Sequence, residues 1–125
     1  MKDKLNVGDV ICATYGNFEG VKTVGIFLIL YSENQDRIYS NNRSNYTCCK
    51  ITTNNFVGNG YTVRLREGDA NLENECLVNV SKLHTLTKEQ TYKKLGTLNS
   101  KNMLKVFREL NRFSTEMNQQ ILQTI

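Results

Sequence analysis

The chain has 125 residues, of which 39% are hydrophobic and 22% charged, the proportions of one ordinary globular domain with material for a real core. A net charge of +4 permits contact with nucleic acid without demanding it. The apolar run Val24 to Leu30 is too short to span a membrane, and the charged start "MKDKLNVGDV" is no signal peptide, so a single cytoplasmic domain over residues 1–125 is expected, with no membrane contact.

Proline is absent, so turns must come from Gly, Asn and Asp. "NVGDVICATY" opens with a Gly-Asp turn and then alternates as a first strand. After the loop "GNFEG", the segment "VGIFLIL" is apolar on both faces, which predicts a central strand. "ENQDR" turns the chain, and "IYSNNRSNYTCCKIT" reads as one or two strands with a polar interruption at Asn41 to Asn45. "NNFVGNG" is a loop; "YTVRLRE" then alternates cleanly, with Arg64 and Arg66 on one face. "GDANLENE" is a further turn before the strand "CLVNVSKLHTL".

The pattern then changes. Thr87 followed by Gln90 is a capping-box spacing, and Gly96 is a stop signal, so a short helix is predicted over 87–95. Asn99 or Ser100 caps a longer helix over 100–121, with Met103, Phe107, Leu110, Met117 and Ile121 as its apolar stripe. The order is α+β and mainly β: a small antiparallel sheet over about 5–84 curled into a partly open barrel, then two C-terminal helices. Cys12, Cys48, Cys49 and Cys76 form no CxxC pair, and adjacent Cys48 and Cys49 point to opposite faces of a strand. Buried reduced thiols are expected, with no metal site and no cofactor.

Four ordered segments resemble the MazF/PemK family of toxin endoribonucleases, which includes Kid. These are "VGDVICATYGNFEGVKTVGIFLIL", "CCKITTN", "YTVRLREGDANLENECLVNVSKLHTLTKEQ" and "YKKLGTLNSKNMLKVFREL", which together span about Leu5 to Leu110. The resemblance implies an SH3-like barrel with C-terminal helices, a homodimer with single-stranded RNA in a groove at its interface, and a small cognate antitoxin. It also implies sequence-specific cleavage without metal, in which the ribose 2′-hydroxyl attacks the adjacent phosphate and the 5′-hydroxyl leaves. Such chemistry needs a base, an acid and donors for the phosphorane charge.

By that resemblance Lys22 and Thr52 are the catalytic positions. Lys22 stands where the family places arginine, and Thr23 where it places proline, so the charge is kept but the planar two-pronged donor is lost. Thr53 is the alternative to Thr52, because one residue of register swaps which hydroxyl faces the site. Glu19 could accept a proton or contact a base edge, Phe18 and Tyr15 could stack bases, and Arg64 and Arg66 could hold RNA backbone. Each has a plainer alternative as an ordinary surface or strand residue, as does His84, the one histidine, which falls near the family's Arg-Thr segment. A second function fits the same fold: a non-catalytic module that binds nucleic acid or protein, such as a mobile-element regulator or inhibitor.

Overall fold

The structure has six strands: β1 (Asp9–Gly16), β2 (Lys22–Glu33), β3 (Asn45–Thr52), β4 (Thr62–Leu65), β5 (Cys76–Thr87) and β6 (Thr91–Thr97). One helix, α1 (Ser100–Gln123), follows. The computed structural model describes residues 4–16, 20–33, 45–53 and 60–125, so the turn expected after Glu33 and most of the "NNFVGNG" loop lie outside the described residues. All strand pairs are antiparallel, in the order β4-β5-β3-β2-β1-β6. The expectation of a central apolar strand holds, since β2 lies between β1 and β3.

Period-2 alternation in β1, β2 and β3 feeds a separate core on each face of the sheet. One core holds Val10, Leu28, Cys49, Ile51, Val63, Leu65, Val78 and Val80, closed over by Val106 of α1. The other holds Leu5, Ile11, Ala13, Phe27, Ile29, Tyr46, Cys48 and Leu86. Phe27, Leu28 and Ile29 are fully buried, and burial of each such side chain is worth about 1.5–3 kcal/mol. Cys48 and Cys49 fall in different cores, as the alternation required, and burial pushes both thiols up to about 12. All four cysteines are free thiols; Cys12 is only half-buried.

Two expectations are corrected. First, the sheet is open rather than closed into a barrel, with β4 and β6 as its edges. The segment between β4 and β5 explains this: its 3₁₀ turn, Asp69–Asn71, packs on β6. Asn71 donates from Nδ2 to the Leu95 carbonyl at 2.8 Å. Gly96 backs so closely onto this turn that a Cβ there would sit 2.7 Å from the Ala70 backbone. Gly96 is therefore required for close approach, not as a helix stop.

Second, one helix is present instead of two. The Thr87–Gln90 capping box exists, with the Thr87 N–H donating to Gln90 Oε1 at 2.8 Å, but it caps a single 3₁₀ turn, Lys88–Gln90. Residues expected to continue that helix extend instead as β6 along the open edge of β1, and Thr91 is buried. Tertiary pairing overrides the local signal. In α1, Asn99 accepts from the Asn102 N–H at 2.9 Å, a standard N-cap. Val106 takes the core position, with Met103 and Leu110 beside it, whereas Phe107, placed in the stripe from sequence, is 59% exposed. Among the described residues no helix is long and apolar enough to cross a membrane.

Gly8 and Asp9 tie the sheet together. Gly8 donates to the Ile29 carbonyl at 2.8 Å and accepts from the Leu98 N–H at 2.9 Å. The buried Asp9 carboxylate accepts from the Asn6 N–H and from the Thr97 hydroxyl, both at 2.8 Å, and pairs with Lys94 Nζ at 3.3 Å. Asp9→Ala leaves these donors without their acceptor, and urea denaturation is expected to show a loss of about 2–4 kcal/mol.

Candidate functional site

Lys22 opens β2 opposite Gly16 and is exposed; Thr52 closes β3 opposite Leu77 and is half-buried. The β1–β2 register is unbroken from Lys22 to Leu28, so alternation puts Lys22 on the face of Ile26 and Leu28. Ile51 shares that face, and Thr53, next on the same side, lines a cavity of about 420 Å³ with Ile26 and Cys12. Thr52 alternates to the other face, with Lys50 and Cys48. Thus Thr53, not Thr52, shares a face with Lys22.

Phe18 and Glu19 lie outside the described residues. Arg64 is exposed but ion-paired with Glu75 at 2.7 Å. Arg66 follows the end of β4 and is also exposed; its N–H donates to Asp69 Oδ2 at 2.8 Å. The basic strip expected along β4 instead crosses to α1, because a cleft of about 340 Å³ brings Arg64 together with Lys105 and Arg108. Those two helix residues were missed from sequence; they lie three apart on one helix face, a spacing that could have identified them.

A denser cluster sits on the Thr52 face. Lys50 Nζ donates to the Tyr15 hydroxyl at 2.7 Å and lies 5.0 Å from the centre of that ring. Tyr15 meets Phe27 edge-on at 5.5 Å and His84 at 5.8 Å between centroids, and Phe27 meets His84 at 5.2 Å. Gly25 makes the room: a Cβ there would stand 2.9 Å from the Tyr15 ring. Burial lowers the His84 pKa below its ordinary 6.5, and the charges of Lys50 and Lys82 push it the same way. His84 is thereby held as a neutral imidazole, able to accept a proton. Lys50 was missed as a candidate; a lysine two residues before Thr52, between Cys49 and Ile51, was its signal.

A family model described as "PemK-like, MazF-like toxin of type II toxin-antitoxin system" matches residues 21–114. No curated protein sequence matches the chain. Among solved structures, the chain is similar to an endoribonuclease in complex with its cognate antitoxin from a mycobacterial species, at 19% identity and a TM-score of 0.62, covering 82% of this chain and 87% of that one. A second mycobacterial endoribonuclease gives 18% identity and a TM-score of 0.59, covering 83% and 85%. The Mycobacterium tuberculosis toxin MazF-mt6 gives 16% identity and a TM-score of 0.59, covering 82% and 93%. At these identities the structural matches establish the fold.

The His84 environment has a consequence for stability. Its folded pKa lies below the unfolded value, so the unfolded chain binds more protons as pH falls. The neutral-imidazole contribution is complete above about pH 6.5 and is lost as pH drops toward the folded pKa. Thermal melts between about pH 7 and pH 5.5 are expected to show a steeper loss of stability for the parent chain than for His84→Gln.

Proposed function

The chain belongs to the PemK-like, MazF-like toxins of type II toxin–antitoxin systems, and we infer that it acts as an endoribonuclease. In this reading it cuts single-stranded RNA at specific short sequences in the cytoplasm, without metal. The 2′-hydroxyl attacks the adjacent phosphate, and the 5′-hydroxyl leaves. The observation that carries the reading is the family match over residues 21–114, which takes in both Lys22 and Thr52, at the ends of β2 and β3.

Lys22 supplies a cation to the phosphate, and a threonine hydroxyl at Thr52 or Thr53 donates to a phosphate oxygen. Arg64, with Lys105 and Arg108 across its cleft, holds backbone phosphates outside the scissile step, and Arg66 extends the same basic surface. Phe18 and Glu19, which precede β2 in sequence, contribute base contacts. A small cognate antitoxin occupies the protein when it is silent, as one structural relative is seen with its own antitoxin. The working unit is a homodimer, supported by exposed apolar residues on α1: Phe107, Met117, Ile121 and Leu122.

One observation favours a second reading, a non-catalytic nucleic-acid- or protein-binding module. Lys22 lacks arginine's planar fork, and its face of the sheet is not that of Thr52.

Incubation of the purified chain with long single-stranded RNA in EDTA separates the two. Discrete cuts are expected, falling about 100-fold or more in rate for Lys22→Ala. Comparison of Thr52→Ala with Thr53→Ala identifies the working hydroxyl. Intact RNA across varied sequences leaves the binding module as the better account. Light scattering is expected to give twice the 14.3 kDa chain mass, and a charged substitution at Phe107 or Ile121 is expected to shift it toward the monomer.

A further inference from the structure

The residues assigned so far leave one chemical role empty. The lysine ammonium is a donor with no lone pair to offer, and a threonine hydroxyl is no base, so neither takes the 2′-hydroxyl proton. The face that carries Thr52 offers a group that can. His84 is half-buried there as a neutral imidazole, its ring edges against Tyr15 and Phe27. The groups that face it are Tyr15 from β1, Phe27 from β2, Cys48 and Lys50 from β3, and Lys82 from its own strand. Lys50 stands one pleat from Thr52, about 7 Å along β3, and the Tyr15 hydroxyl fixes its ammonium at 2.7 Å. A proton acceptor, a proton donor and a hydroxyl donor therefore share one face of the sheet.

We propose that His84 and Lys50 are the proton-accepting and proton-donating residues of the cleavage site, with Tyr15 positioning Lys50. This assignment rests on the endoribonuclease reading above. The 2′-hydroxyl proton passes to a ring nitrogen of His84 as the 2′-oxygen bonds to phosphorus. The bond from phosphorus to the 5′-oxygen breaks, and the electron pair left on that oxygen takes a proton from the Lys50 ammonium. The products are a 2′,3′-cyclic phosphate and a free 5′-hydroxyl. Return of a proton from the imidazolium to the Lys50 amine through solvent restores both groups.

His84 is the chain's one histidine, so its imidazole C–H resonance reports its titration directly by proton NMR. The acid limb of kcat/KM for RNA cleavage in EDTA belongs to the free enzyme's base, and its midpoint is expected to coincide with that titration. His84→Gln and Lys50→Ala are each expected to slow cleavage about 100-fold or more, and His84→Gln removes the acid limb. Tyr15→Phe keeps the ring and removes the acceptor for Lys50; it is expected to lower kcat and leave KM unchanged. If Thr52→Ala is inactive while His84→Gln and Lys50→Ala stay within about twofold of the parent, the assignment is wrong and the endoribonuclease reading stands. If the parent chain cuts no RNA, both fall. Should His84→Gln fail to fold, the parent decides alone: a rate flat across the NMR titration overturns the assignment.

Discussion

The buried Asp9 carboxylate is the constraint on which the rest of the structure depends. It sits where the N-terminal segment, β1 and β6 meet, and accepts from the Asn6 N–H and the Thr97 hydroxyl while pairing with Lys94. Next to it, Gly8 bonds to Ile29 of β2 and to Leu98, just before α1. A φ of +95°, which L side chains rarely adopt, lets Gly8 turn this tightly. Two residues thus fix how β6 lies on β1 and where α1 starts. Because β1 also carries Tyr15 at its far end, the node aligns the strand on which the aromatic cluster is built.

The second organising fact is that both faces of the sheet are buried near its centre. Side chains one residue apart then belong to different environments, as Cys48 and Cys49 do. The same alternation sorts the chemistry toward the strand ends. Lys22 and Thr53 go one way; Thr52, Lys50, Tyr15 and His84 go the other. The face with Thr52 holds the groups whose environment has been tuned: a lysine tied to a phenol, and a histidine whose proton affinity is lowered by burial and by two lysines.

Much of this was legible from the sequence. The strands β1, β4 and β5 followed from alternation and β2 from its unbroken apolar run, and of the two caps expected for α1, Asn99 or Ser100, Asn99 is the one used. The fold family followed from four ordered segments. What failed did so for non-local reasons. "TYKKLG" carries Tyr92 and Leu95 at helical spacing, and pairing with the open edge of β1 makes it a strand instead. Gly96 carried a true signal with the wrong cause, since close approach to Ala70 cannot be read from its neighbours in sequence. Phe107 was placed in the apolar stripe of α1 because its spacing from Met103 suited a helix, while Val106, outside that stripe, is the residue that turns inward. At the site, Lys22 and Thr52 were found by resemblance. The partnership of Lys50, Tyr15 and His84 joins three strands and required their register.

In the proposed reaction this toxin-family chain breaks RNA by internal attack of the 2′-hydroxyl. Mass spectrometry of the fragment ends tests it most directly. A 2′,3′-cyclic phosphate, or its hydrolysed monoester, is expected on one side of each cut and a 5′-hydroxyl on the other, in the presence of EDTA. Fragments with 5′-phosphates, or RNA that survives intact, would contradict it.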